Sequence, residues 1–107
     1  MVMQSLVERR NSRRFRLSLP VLATHPEQGA MHAHTRDVSS RGISFYFPAP
    51  LEVGSKLHLV LTLPPELTLS AAIRVQCNGH VIRIEREAER NGFTIAAVID
   101  YYDFLAD

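Results

Sequence analysis

Two short stretches of this 107-residue chain gather side chains that could do chemistry. The first is Glu8-Arg9-Arg10-Asn11-Ser12-Arg13-Arg14-Phe15-Arg16, which holds five arginines within residues 9 to 16. The second is Asp37-Val38-Ser39-Ser40-Arg41-Gly42, which sets an acid, a hydroxyl and a glycine at fixed offsets. A guanidinium group is a planar fork of donors that matches phosphate oxygens or the Hoogsteen edge of guanine, whereas an ammonium group is a point charge. The chain has a single lysine, Lys56, so its basic character is almost purely arginine. That bias points toward a nucleotide-like ligand. Taken alone, each stretch is ambiguous: a basic arm is commonly a solvated tail, and Asp-x-Ser-x-x-Gly is compatible with an ordinary turn.

Other chemistry finds less support. His32 and His34 share a strand face and Cys77 lies near His80, but third and fourth ligands at a metal-site spacing are missing. Neither a nucleophile turn nor a Gly-rich phosphate loop is present, so an enzyme is not expected. The one cysteine, Cys77, excludes an internal disulfide, suits a reducing compartment and reads as apolar filler. Residues 1 to 7 contain Gln4 and Ser5 among apolar residues, which makes neither a signal-peptide core nor a spanning segment. A cytoplasmic address without membrane insertion is expected. The formal net charge of +1 is unevenly spread. Residues 1 to 41 carry seven arginines against Glu8, Glu27 and Asp37, while residues 85 to 107 carry Arg86 and Arg90 against six acidic residues.

The elements that must position these residues are mainly strands. With 46% hydrophobic and 21% charged residues the chain is too apolar to be disordered and long enough for one domain. Phe15, Leu17, Leu19, Val21 and Ala23 alternate as in one half-buried strand, with Pro20 favouring an edge or a bulge. A turn at His25 to Gly29 leads to a strand over Ala30 to Arg36. The Asp37 to Gly42 connection precedes a strand with Ile43, Phe45 and Phe47 on one face. Leu57, Leu59, Leu61 and Leu63 give the clearest alternation. A long run follows from Leu67 to Ile84, whose apolar parity changes beyond Asn78-Gly79, so a bent strand with a bulge is favoured over a hairpin there. Glu85 to Gly92 reads as a hairpin turn into a strand over Phe93 to Ile99. Asp100 then caps a predicted short terminal helix with Tyr101, Phe104 and Leu105. Six strands joined by Gly- and Pro-rich turns predict an antiparallel barrel or sandwich.

Together the two chemical stretches resemble the halves of the PilZ domain signature, Arg-x-x-x-Arg followed further along the chain by Asp or Asn-x-Ser-x-x-Gly. Arg10 to Arg14 supplies the first half, with Phe15 opening the first strand, and Asp37, Ser39 and Gly42 supply the second. The resemblance extends over residues 8 to 104, through Gly79-His80-Val81 and Asn91-Gly92-Phe93. It implies a mainly β fold, a six-stranded antiparallel β-barrel of split-barrel type over residues 15–107 preceded by a flexible arginine-rich arm, residues 1–14. It also implies a receptor for cyclic di-GMP, with no other cofactor, that acts on an unidentified effector protein as a monomer or weak homodimer.

Each position has a chemical role under this resemblance. Arg9, Arg10 and Arg14 reach the phosphates and guanine O6 and N7 from an arm that folds over the ligand. Asp37 accepts from guanine N1 and N2, which gives guanine selectivity. Ser39 offers a hydroxyl, and Gly42 lets the backbone approach without a Cβ. Arg13, Arg41 and Ser44 are further candidate contacts, and Arg36 adds charge beside the turn. Arg9 with Arg13 also satisfies the arginine spacing, but Arg10 with Arg14 sets the second arginine directly before the strand. The alternative function is a nucleotide-independent protein-interaction domain of the same fold. Nucleic acid is not an expected partner, since tryptophan is absent and no stacking motif is evident.

Overall fold

Alternation along the strands decides which side chains form the core. The computed structural model describes residues 15–88 and 91–105. In β5 (Lys56–Leu63) the four leucines are at most 3% exposed while Lys56, His58, Val60 and Thr62 face away. The same alternation buries Val21 and Ala23 in β2 (Pro20–His25), and Ile43, Phe45 and Phe47 in β4 (Gly42–Phe47). Val75, Cys77 and Val81 of β6 (Ile73–Arg86) and Ile95, Ala97 and Ile99 of β7 (Phe93–Leu105) complete the centre. Each large side chain buried there contributes about 1.5–3 kcal/mol. Phe45 and Phe47 meet edge to face at 6.0 Å.

The strands close on themselves. The order β3-β2-β5-β6-β7-β4 is antiparallel throughout, with β3 spanning Gly29–Val38, and β4 pairs back onto β3. The result is a closed six-stranded antiparallel barrel filled by its own side chains. A further strand, β1 (Phe15–Arg16), lies on β3 with Phe15 opposite Val38 and Arg16 opposite Asp37. The expected arm, residues 1–14, lies outside the described residues.

Several expectations need correction. The predicted strand from Phe15 to Ala23 is two strands, because the chain breaks at Leu17–Leu19 and Pro20 is the first residue of β2. The buried Thr35 hydroxyl spans the break, accepting from the Leu19 N–H at 2.9 Å and donating to the Leu17 carbonyl. Between β5 and β6 the chain makes a one-turn helix, α1 (Pro65–Thr68), so Leu67, Leu69 and Ala71 are not strand residues and β6 begins at Ile73. The long bent strand is real, but its parity does not change at Gly79. Gly79 stays in phase with Cys77 and Val81, and the extra residue is Ile82, between the pairs Val81–Ala97 and Arg83–Ala96.

The predicted terminal helix is strand. At Asp100, β7 inserts an extra residue between Ile99, opposite Gly79, and Tyr101, opposite Asn78. This bulge moves the inward phase from Ile95, Ala97 and Ile99 to Tyr102 and Phe104, which pack against the core and against each other. The same phase change, met in sequence, breaks strand alternation and so imitates a helix.

Gly79 is instead a point of close approach. A Cβ there would lie 2.1 Å from the Val98 carbonyl oxygen on the paired strand. Backbone cannot swing aside as a side chain would, so Gly79→Ala is expected to cost about 2–3 kcal/mol or more in urea unfolding.

Candidate functional site

Ser44 faces outward between Ile43 and Phe45, yet it is only 3% exposed. It lies at the bottom of a hollow of about 250 Å³ on the outer face of the barrel. Arg36, Asp37 and Ser44 line one side, and Arg83, Glu85, Thr94 and Ala96 line the other. Asp37 points there because β3 carries an extra residue. Thr35 pairs with Phe45 and Asp37 with Ser44, leaving Arg36 as the bulged residue. Thr35 and Val38, at 1% and 2% exposure, both face the core, an interval that only a bulge permits.

The Asp37 carboxylate is half-buried and accepts a hydrogen bond from the Ser44 hydroxyl at 3.2 Å through Oδ2. The Arg36 guanidinium stands 3.7 Å from the same oxygen. Across the hollow, Arg83 Nε is 3.7 Å from the Glu85 carboxylate, and the Thr94 hydroxyl donates to Glu87. Two cations facing two carboxylates leave the hollow itself close to neutral.

Ser39 and Gly42 are occupied with the chain itself. The Ser39 hydroxyl accepts from the backbone N–H groups of Gly42 at 3.0 Å and Arg41 at 3.3 Å, and the Ser39 N–H donates to the Gly42 carbonyl at 2.9 Å. The Arg41 carbonyl in turn accepts from the Ile99 N–H at 2.8 Å, fastening the turn to β7. A Cβ on Gly42 would stand 3.1 Å from the Ala97 carbonyl oxygen, so the backbone it lets approach is that of β7. The Arg41 side chain is exposed and does not line the hollow. Asp37 and Ser44 therefore come together, Ser39 and Gly42 shape the turn beside them, and Arg9, Arg10, Arg13 and Arg14 lie outside the described residues.

The motifs did not reveal Arg83, Glu85, Thr94 and Ala96. A signal for the first two exists: once Ile82 changes the phase of β6, Ile84 turns toward the core and Arg83 and Glu85 turn outward. Among the described residues no cluster of three His, Cys, Asp or Glu side chains could hold a metal ion, and no helix is long and apolar enough to cross a membrane. Cys77 is buried in the core, which pushes its thiol from 9.0 up to about 12.

Comparison with known proteins bears on the same residues. The model of the PilZ domain family matches residues 8–100. This chain belongs to the PilZ family. The match contains both the arginine stretch and the Asp37 to Gly42 turn, and PilZ domains are regulatory binding domains, in a family of cyclic di-GMP receptors, rather than enzymes. The PilZ barrel is similar to the solved structure of the Bacillus subtilis inhibitor of motility MotI/DgrA, with a TM-score of 0.72 at 18% identity. That likeness covers 89% of this chain and 44% of the other, so this PilZ domain spans less than half the length of that protein. No curated protein matches the chain.

Two outcomes follow for this PilZ domain. Ser39→Ala leaves the Gly42 N–H without its acceptor and is expected to lower stability by about 1–3 kcal/mol in ligand-free urea unfolding. Because the folded-state pKa of Cys77 lies above its ordinary value, the stability it confers is complete below pH 9.0 and is lost as pH rises toward about 12. At pH 8 iodoacetamide should therefore label Cys77 only after denaturant unfolds the barrel, as mass spectrometry reads directly.

Proposed function

We propose that this domain is a receptor for cyclic di-GMP, which binds over the outer hollow beside Asp37, and that the bound ligand alters the surface offered to an effector protein. One observation carries the reading. Arg16 sits opposite Asp37, so the arginine stretch enters the fold beside the acid of the second motif. Arg14 is two residues before Arg16 in the chain.

The electrostatics agree with a shared task. A ligand with two phosphates needs more cation than a near-neutral hollow supplies. The arginines of residues 9–14 provide that charge, and Asp37 provides acceptors for the N1 and N2 donors of guanine. The pairing of Asp37 with Ser44 holds the carboxylate in place before a base arrives. Ser39 and Gly42 serve the site indirectly, by fixing the turn that follows Asp37.

Titration calorimetry with cyclic di-GMP, cyclic di-AMP and GTP tests the reading. The wild-type protein should bind cyclic di-GMP in preference to the other two. Arg14→Ala and Asp37→Ala should each weaken that binding by roughly tenfold or more, the scale of a charge-assisted hydrogen bond. Absence of cyclic di-GMP binding by the wild type would overturn the receptor assignment.

A further inference from the structure

We infer that Arg83, on the far side of the hollow from Asp37, is a second guanine-binding residue. The inference rests on the receptor reading above and deepens it. Cross-strand pairing sets one row over four strands: Asp37 opposite Ser44, Ser44 opposite Ala96, and Ala96 opposite Arg83. Three strand spacings separate the ends of that row, about 14 Å along the sheet.

Both ends of the row are set by bulges. Arg36 is the extra residue that turns Asp37 outward, and Ile82 is the extra residue that turns Arg83 outward. Without the second bulge, position 83 would continue the inward phase of Val75, Cys77 and Val81 and put a guanidinium in the core. Bulges that re-aim a side chain are common beside binding and active sites. Here two of them aim an acceptor and a donor fork into one hollow from opposite sides.

The floor between the ends is low. Ser44 and Ala96 are small and at most 4% exposed, so a flat ligand can lie across them without displacing side chains. The ends differ in chemistry. The Asp37 carboxylate accepts from a Watson–Crick edge, while the Arg83 fork donates to O6 and N7 of guanine, a pair of acceptors that adenine lacks. Glu85 stands 3.7 Å from Arg83 Nε at the rim of the hollow. A molecule with two guanines spans the row, and a mononucleotide reaches one end only.

The test is calorimetric titration of cyclic di-GMP into wild type, Asp37→Ala, Arg83→Ala and Arg83→Lys, with thermal melting of each. Arg83→Ala should weaken binding by about tenfold or more, as loss of a bidentate guanine contact does. Arg83→Lys should not restore it, because lysine keeps the charge but not the fork. Melting temperatures of the Arg83 variants should stay near that of the wild type, since the Arg83 side chain is 54% exposed. Wild-type affinity in Arg83→Ala, while Asp37→Ala loses binding, would overturn the role of Arg83 and leave the receptor reading standing. Full recovery with lysine would overturn recognition by the fork, and failure of the wild type to bind would overturn both readings.

Discussion

A strand offers each residue only two directions, and closing six strands into a ring removes any freedom to choose between them. Once Leu57, Leu59, Leu61 and Leu63 point inward, pairing hands the same phase to β2 and β6, then to β7 and β4. A polar residue wanted outside, or an apolar one wanted inside, must take the parity it inherits. Two devices relax this. The chain can leave the ladder, as at Leu17–Leu19, where the Thr35 hydroxyl serves the Leu19 N–H and the Leu17 carbonyl while the Leu17 N–H and the Leu19 carbonyl stay bonded to the β3 backbone. It can also insert a residue, as at Arg36, Ile82 and Asp100. The outer hollow exists because the first two insertions flank it.

The Asp-x-Ser-x-x-Gly motif divides its labour accordingly. Its acid faces the hollow, while its serine and glycine face the chain. Ser39 ties the backbone of the turn, and Gly42 allows that turn to press against Ala97. Losing either residue would disturb the turn that follows Asp37 and its packing against β7. Such a motif is as much a statement about how a turn meets the neighbouring strand as about recognition.

These distinctions explain what could be read from the chain alone. β5 and β4 were legible because Leu57 to Leu63 and Ile43 to Phe47 alternate without interruption. Asp37 and Ser44 were legible because they lie in or next to a motif. The strand at Tyr101 to Leu105 was misread because one inserted residue, Asp100, shifts Tyr102 and Phe104 to the other parity, and a shifted alternation has no local marker. Arg83 was missed for a different reason. Its place opposite Ala96 depends on register between two strands, a relation between distant residues that no single window of sequence contains. The break at Leu17–Leu19 was hidden because Leu17, Leu19 and Val21 keep their alternation across it, held by a hydroxyl from another strand.

β1 holds to the barrel by two residue pairs, one of which involves Asp37. An attachment that short fixes where the end of the arginine stretch, Phe15 and Arg16, meets the barrel while contributing little stability of its own. Under the proposed receptor reading, its value is local concentration. A group tethered a few residues from a site meets it as though present at roughly millimolar levels, so the encounter is intramolecular rather than diffusional. Individual arginine contacts can then be weak and still act together, and the two rungs of β1 set the distance on which that advantage depends.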